Sequence, residues 1–179
     1  EMAFNPVRDV FIDFGIYTNP QDCYPVILGS DESNLLKLAG AYAAIANGGT
    51  LVEPHFLDSQ KNGEIIQKPP QSKPIYSVDQ ISLFQVKNIL AGAVARGTGT
   101  ALKEFKGQVA GKTGTSSRYI DAWFMGFSND VVVGVWIGYD NDSGQKISLG
   151  DGNTGGSLAA PVAKSVFREA FKYYPPTPL

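Results

Sequence analysis

The chain has 179 residues, and its 15 Lys and Arg against 17 Asp and Glu give a formal net charge of -2 at neutral pH. This length fits one ordinary globular domain, and the lack of a basic run excludes a dedicated nucleic-acid surface. One Cys and one His are too few for a disulfide framework, a structural zinc site or a haem attachment. The longest apolar stretch, residues 131–139, is far shorter than the ~18 residues of a membrane span. We therefore expect no membrane span, no metal and no other cofactor.

The N-terminal residues predict a helix and not a leader sequence. The segment after Glu1 lacks the charged start and apolar core of a signal peptide, so we expect the chain to begin inside a larger protein. Across residues 6–14 the apolar side chains recur at i, i+3, i+4 and i+7. That spacing forms one face of a helix, which Gly15 is placed to end.

A second helix and a hairpin follow. Ser33 is the predicted N-cap of a strongly periodic apolar segment, and the glycine pair at 48–49 ends it. Residues 51–57 and 65–66 are candidate strands on either side of a turn at residues 61–63. This stretch is therefore predicted to form a surface hairpin.

A third, longer helix is predicted after Ser77. Gln80 lies three residues beyond Ser77, which is the spacing of a capping box, and Arg96 and Gly97 mark the end. The apolar residues between them predict an amphipathic helix whose buried face carries Ile81, Phe84, Val86, Ile89, Leu90 and Val94.

The second half of the chain changes from helical to strand periodicity. Residues 108–115, 119–128 and 131–139 are rich in β-branched and aromatic side chains and predict three successive antiparallel strands. The third of these is apolar on both alternations, so we expect it to be covered on both faces and central in its sheet. A Gly-rich loop then leads to a closing helix over residues 158–173.

One short motif in the second half suggests a phosphate-binding loop, which its surroundings exclude. The phosphate loop requires a Gly five positions before its Gly-Lys-Thr unit. Here Gly111-Lys112-Thr113 has Lys106 at that position, and Gly107 lies one residue too close. The motif is also embedded in strand-like sequence, whereas a phosphate loop opens a helix.

Lys112-Thr113-Gly114 also matches one of the three motifs of the serine penicillin-recognising enzymes, whose other two are Ser-x-x-Lys and Ser-x-Asn or Ser-Asp-Asn. In a strand, Lys112 and Gly114 lie on one side while Thr113 and Thr115 lie on the other. Taken alone, the tripeptide is more typical of a solvated turn or edge strand. A glycine inside a strand often marks the close approach of a ligand or of another backbone.

Seven segments, which occur in a fixed order and include the tripeptide, indicate a specific protein family. The chain closely resembles, over about residues 7–172, the C-terminal part of the transpeptidase domain of bifunctional (class A) penicillin-binding proteins. The matching segments are residues 28–30 (LGS), 41–49 (AYAAIANGG), 96–100 (RGTGT), 110–115 (AGKTGT), 121–127 (DAWFMGF), 133–140 (VGVWIGYD) and 154–161 (TGGSLAAP).

The resemblance implies an α+β fold of the β-lactamase/transpeptidase type, with an antiparallel sheet flanked by helices. Residues 1–179 would be the C-terminal part of one such domain. The reaction implied is cross-linking of peptidoglycan stem peptides at D-Ala-D-Ala through an acyl-serine, and β-lactams imitate that dipeptide. No cofactor is implied.

The resemblance also implies roles for the residues of the motif. Lys112 supplies positive charge near the nucleophile and the substrate carboxylate, and Thr113 and Thr115 are the carboxylate and amide partners. The backbone N–H of Thr115 would be one oxyanion-hole donor, and Gly114 keeps the strand edge open for an extended peptide. Trp123 and Phe124 have packing as their default role, with lining of the substrate cleft as the alternative.

The chain departs from the family pattern at the nucleophile. Ser-x-Asn occurs nowhere, and Ser143 begins the one Ser-x-x-Lys match, in a Gly-rich loop after the Lys-Thr-Gly motif. Both its order and its context are wrong for a nucleophile that opens a helix. We therefore expect the catalytic serine upstream of residue 6. His55 and Cys23 have no partners for metal binding or catalysis and are predicted to be structural.

The expected partners are stem peptides, β-lactams and the upstream half of the same domain, with no nucleic acid. The expected location is the periplasmic face of the inner membrane, with the anchor in a segment outside this chain and a glycosyltransferase domain in the same parent.

Two alternative functions stay open. One is a non-catalytic β-lactam sensor, and the other is a D,D-carboxypeptidase or β-lactamase relative. In the family fold, the strand at residues 131–139 pairs with a strand from near the start of the domain. If that partner strand is absent, we expect the unpaired apolar edge to make the chain self-associate.

Overall fold

The structure is a computed structural model that describes residues 5–21, 23–62, 65–69, 71–140 and 144–179. The chain divides into two compact units, residues 1–83 and 84–179, and each is described by itself. The four helices are α1 (Asn5–Asp13), α2 (Leu35–Ala46), α3 (Gln80–Arg96) and α4 (Ala160–Ala170). The strands are β1 (Thr50–Leu51), β2 (Gln60–Asn62), β3 (Ile65–Gln67), β4 (Lys73–Pro74), β5 (Ala110–Thr115), β6 (Ala122–Phe127) and β7 (Val132–Ile137).

The first unit contains α1, α2 and two small antiparallel sheets, β1 with β4 and β2 with β3. A hairpin is present as predicted, but its first strand is β2, which includes two residues of the predicted turn at 61–63 and pairs with β3. The predicted strand over residues 51–57 is wrong, because only Thr50 and Leu51 pair with β4. Pro54 has no backbone N–H to donate to a ladder, which accounts for the early end of the strand. The buried core of this unit consists of Phe14, Ala41, Ala44, Ile75 and Leu83.

Two helix starts differ by one or two residues from the predicted caps. The side chain of Asn34, and not Ser33, caps α2 by accepting a hydrogen bond from the Lys37 N–H at 2.9 Å. Asp79, and not Ser77, occupies the corresponding place before α3 and accepts from the Ser82 N–H at 2.8 Å. That hydrogen bond, together with a second from the Ser82 hydroxyl, lowers the pKa of Asp79 below its ordinary value. Asn, Asp and Ser are about equally good N-caps, so candidates one or two residues apart are hard to rank.

The apolar face predicted for α3 is only half right. Leu90 and Val94 are buried, but Ile81, Phe84 and Ile89 are 66–72% exposed. Apolar residues occur on every side of α3, so periodicity alone cannot identify the row of side chains that packs against the core.

Among the described residues, no helix combines the length and apolar content needed to cross a membrane.

The second unit is built on an antiparallel sheet with the strand order β5-β6-β7. The predicted three-strand succession is confirmed, but the prediction that residues 131–139 form the central strand is wrong for the described chain. β6 lies between its two neighbours, and β7 is an edge. The core beneath one face of the sheet contains Val94, Leu102, Val109, Phe124, Val133, Ala159, Ala160, Ala163 and Phe167.

The closing helix begins later than predicted, through a wider π-type turn at Gly155–Ala159. Thr154 and Ser157 cap that turn reciprocally, each side chain accepting from the other's backbone N–H. Glu104 then links α4 to the short 3-10 helix at Thr100–Phe105, with carboxylate oxygens 2.9 Å from Lys164 Nζ and 2.7 Å from Arg168. These two cations lower the pKa of Glu104 below its ordinary value.

Candidate active site

The outer edge of β5 presents backbone groups that no described strand uses. The Ser116 N–H donates to the Asp121 carbonyl at 3.0 Å, in register with the β5-β6 ladder. Hydrogen-bonded and non-bonded residues alternate along an antiparallel pair. The backbone N–H and C=O groups of Thr113 and Thr115 therefore point away from β6, toward the edge. An extended ligand can pair with such an edge as an added strand.

Lys112 provides a positive charge at this edge. Its side chain is exposed, and Nζ donates a 2.6 Å hydrogen bond to the Thr113 carbonyl oxygen. Within the described part of the chain, no carboxylate lies within ion-pair distance of this ammonium group. Its charge is thus uncompensated and directed along the edge where a ligand would lie.

The threonine side chains of β5 lie on the opposite face from Lys112, and each has one polar partner. Thr113 is 7% exposed, and its Oγ1 lies 2.5 Å from Oγ1 of Thr98. The Thr115 hydroxyl oxygen accepts from the Gly155 N–H at 3.0 Å. Two turns, the one after α3 and the one before α4, therefore converge on the edge of β5.

Gly155 has no space for a side chain. A Cβ at this position would collide with the carbonyl oxygens of Trp123 and Gly114 and would lie 3.0 Å from the Gly114 nitrogen. The turn before α4 thus packs directly on the paired residues of β5 and β6, since Gly114 and Trp123 are register partners. Only glycine at position 155 allows the turn to approach the backbone of β5 and β6 this closely.

The two aromatic residues predicted as a pair lie on opposite faces of β6. Trp123 shares a face with Lys112 and Gly114, is half-buried, and lies 6.2 Å from the Trp136 ring. Trp136 in turn donates to the Asp121 carboxylate at 2.9 Å.

Phe124 is fully buried in the core on the other face of the sheet. The cleft-lining alternative is therefore wrong for Phe124 because a side chain that is 0% exposed cannot contact a ligand. Its ring instead supports β5 from below, since a Cβ on Gly111 would lie 2.7 Å from it.

The turn between β5 and β6 is held in an uncommon backbone conformation. Arg118 and Tyr119 have φ values of 64° and 54°, in the left-handed region that residues with a side chain rarely adopt. The Ser148 hydroxyl donates to the Arg118 carbonyl at 2.8 Å, and the Leu149 N–H donates to the Tyr119 carbonyl at 2.7 Å. Residues 148–149 thus fix the end of β5 next to the candidate site.

The remaining sequence candidates lie outside this site. Ser143, the first residue of the one Ser-x-x-Lys match, lies outside the described residues. His55 donates locally from Nδ1 to the Glu53 carbonyl, and Cys23 is a free thiol. The described residues contain no group of three or more His, Cys, Asp or Glu side chains that could hold a metal ion. Gly111-Lys112-Thr113 lies within β5, which agrees with the rejection of a phosphate loop.

Residues 18–169 match the family model described as the penicillin binding protein transpeptidase domain. The chain belongs to this family. It is 36% identical to penicillin-binding protein 1A of Rickettsia conorii over 99% of this chain and 25% of that protein. It is 33% identical to penicillin-binding protein 1A of Aquifex aeolicus over 98% of this chain and 24% of that protein. The chain therefore spans about a quarter of the length of these penicillin-binding relatives.

Solved structures of penicillin-binding proteins share the fold. Penicillin-binding protein 1A from Haemophilus influenzae superposes with a TM-score of 0.77 at 21% identity, over 94% of this chain and 31% of that chain. The D,D-transpeptidase domain of a peptidoglycan glycosyltransferase from Eggerthella lenta gives a TM-score of 0.60 at 27% identity, over 82% of this chain and 35% of that chain. The predicted α+β, transpeptidase-like fold is thereby confirmed.

Two residues of the candidate site do not stand out in the sequence. Thr98 and Gly155 both lie in segments that carry the family resemblance, but neither belongs to a motif of known chemistry. Thr98 is flanked by glycines, as is typical of a backbone that must turn sharply, and this was the available signal. Their contacts with β5 are long-range, 15 and 40 residues apart, and follow only from the fold.

Replacement of Gly155 by alanine should destabilise the penicillin-binding fold. The added Cβ must displace either β5-β6 or the turn before α4, and overpacking of this kind costs about 1–3 kcal/mol. Thermal unfolding should show a Tm lowered by several degrees. Gly40→Ala is the matched control, since its Cβ would meet Pro54 atoms only at 3.6 Å and alanine favours the helix. An unchanged Tm for Gly155→Ala would contradict the close packing of the turn before α4 on β5 and β6.

Proposed function

We propose that this chain forms one wall of the active site of a peptidoglycan D,D-transpeptidase, and that β-lactams acylate the same site. The observation that carries the proposal is the outer edge of β5, where the backbone groups of Thr113 and Thr115 point outward beside the uncompensated charge of Lys112. A D-Ala-D-Ala terminus is an extended peptide that ends in a carboxylate. It needs both a strand edge and a cation, and β5 offers the two together.

The residues of the motif divide the work of recognition and catalysis. Lys112 places its positive charge beside the terminal carboxylate of the ligand and beside the proton relay of the nucleophile. A charge-assisted hydrogen bond to the carboxylate contributes about 1.5–3 kcal/mol. The hydroxyls of Thr113 and Thr115 bind the carboxylate and the amide of the ligand. The outward N–H of Thr115 is one oxyanion-hole donor, and loss of one such donor typically costs ~10²–10³ in rate. Gly114 leaves the edge unobstructed, and Trp123 is the aromatic residue proposed to contact the ligand, on the face that carries Lys112.

The reaction proceeds through an acyl-serine. The serine oxygen forms a bond to the carbonyl carbon of the penultimate D-Ala, and the C–N bond to the last D-Ala breaks, with the serine proton passing to the departing amine. An amine of a neighbouring stem then forms the new amide and releases the serine. With a β-lactam the broken C–N bond lies within the ring, so the amine stays attached and the acyl-enzyme persists.

The serine and the Ser-x-Asn motif come, in this proposal, from the part of the domain that precedes residue 6 in the parent protein. Residues 1–179 are then the C-terminal part of one transpeptidase domain. The share of the Rickettsia relative that the chain spans, 25%, leaves room for that part and for a glycosyltransferase domain. The similar Eggerthella lenta structure is the D,D-transpeptidase domain of a peptidoglycan glycosyltransferase, which supports this arrangement. A membrane anchor outside this chain and a periplasmic location complete the proposal.

Lys112→Ala in the full-length parent should slow acylation by a fluorescent penicillin about 10- to 100-fold, because one charge-assisted hydrogen bond to the β-lactam carboxylate is lost. The measurement is the second-order rate of covalent labelling, followed on denaturing gels. Lys103→Ala is the matched control, since Lys103 is exposed in the 3-10 helix that precedes β5. Equal labelling rates for the two variants would rule out the role given to Lys112.

The chain alone is proposed to self-associate through β7. The Ser128 N–H donates to the Val131 carbonyl at 2.8 Å, so alternation leaves the backbone groups of Val132, Gly134 and Trp136 pointing outward from the sheet. An unpaired apolar edge is a template for pairing with a second copy.

Sedimentation velocity over a 100-fold range of concentration should therefore show association of the chain. Gly134→Pro removes an outward N–H without breaking a bond to β6 and should weaken that association. A monomer at every concentration would contradict the proposal.

A further inference from the structure

Two threonine hydroxyls from distant parts of the second unit meet at the edge of β5. Oγ1 of Thr98 lies 2.5 Å from Oγ1 of Thr113, and either oxygen can be the donor. Thr98 is exposed, whereas Thr113 is 7% exposed. The pair therefore connects a buried hydroxyl of the motif to a hydroxyl at the surface.

Thr98 is fixed in place by backbone contacts on both sides. The N–H groups of Gly97 and Gly99 both donate to the Ala93 carbonyl, at 3.0 and 3.1 Å, and so close the C-terminal end of α3. A Cβ on Gly156 would lie 2.8 Å from the Thr98 carbonyl oxygen, so the turn before α4 packs against the Thr98 backbone. A hydroxyl on a segment held this tightly has a defined direction.

A threonine hydroxyl has one proton, and this decides what Thr113 can offer a ligand. If Thr113 donates to Thr98, it has no proton left for the ligand. If Thr98 donates to Thr113, the Thr113 proton is free to bond an acceptor at the edge. An ionised carboxylate only accepts hydrogen bonds, so it selects the second arrangement.

We propose that Thr98 is a positioning residue for carboxylate recognition, which acts by donating to Thr113 and so directing the Thr113 proton to the anionic end of the ligand. The inference rests on the proposed function, because it assigns a role in recognition of the same β-lactam or D-Ala-D-Ala carboxylate. This role predicts that the contribution of the Thr98 hydroxyl to the rate of acylation depends on the negative charge of the ligand. A role in packing alone has no such dependence.

The test compares a charged ligand with its neutral counterpart in the full-length parent protein. The second-order rate of acylation is measured with benzylpenicillin and with benzylpenicillin methyl ester, in which the carboxylate is blocked. Thr98→Val should lower the rate with benzylpenicillin about 10-fold, since a hydrogen bond to a charged group is weakened, and should lower the rate with the ester by no more than about twofold, since a neutral ester oxygen accepts a weaker hydrogen bond. Thr98→Ser keeps the hydroxyl and should restore the rate with benzylpenicillin to within about twofold of wild type.

Thr100→Val is the matched control, because Thr100 is an exposed threonine two residues away. Its rates should equal those of wild type with both ligands. Thr98→Ala repeats the comparison without a methyl group in the place of the hydroxyl if the valine variant has a lowered Tm. An equal loss with benzylpenicillin and with the ester, or no loss with either, would overturn the role of Thr98. Failure of the wild-type parent to react with benzylpenicillin would instead overturn the proposed function itself.

Discussion

The alternation of backbone hydrogen bonds along β5 is the constraint on which the candidate site depends. One bond, from the Ser116 N–H to the Asp121 carbonyl, sets the register in which Thr113 and Thr115 direct their backbone groups outward. A shift of one residue would direct those groups at β6 and would exchange the faces of Lys112 and the threonines. The charge, the hydroxyls and the free strand edge therefore belong together because one ladder places them all.

Close backbone packing keeps that edge in position. Gly155 brings the turn before α4 against the β5-β6 pair, and its N–H satisfies the Thr115 hydroxyl. The end of α3 brings Thr98 to Thr113 from the other direction. Fixed groups of this kind recognise an anion without a reorganisation cost at the moment of binding. The rigidity of the surrounding turns is thus part of the proposed binding chemistry.

The sequence predicted the features that follow from local pattern. The three-strand succession, the hairpin and the placement of the Lys112 motif in a strand all rest on short-range periodicity and turn residues. What it missed depends on tertiary packing. Nothing local distinguishes Phe124, which is buried, from Trp123, which is half-buried on the face that carries Lys112, since both are aromatic and adjacent. The meeting of Thr98 with Thr113 depends on where α3 ends in space, and the sequence alone does not specify this.

Covalent labelling by a fluorescent penicillin, with the domain supplied in two pieces, tests most directly whether this chain completes an active site whose serine lies elsewhere. This chain, the rest of the transpeptidase domain expressed separately, and a mixture of the two would be labelled in parallel and separated on a denaturing gel. We expect a labelled band only in the mixture, on the other piece, because that piece carries the serine and this chain completes its site. Label on this chain alone would contradict the proposal, since a serine within the 179 residues would then be the nucleophile.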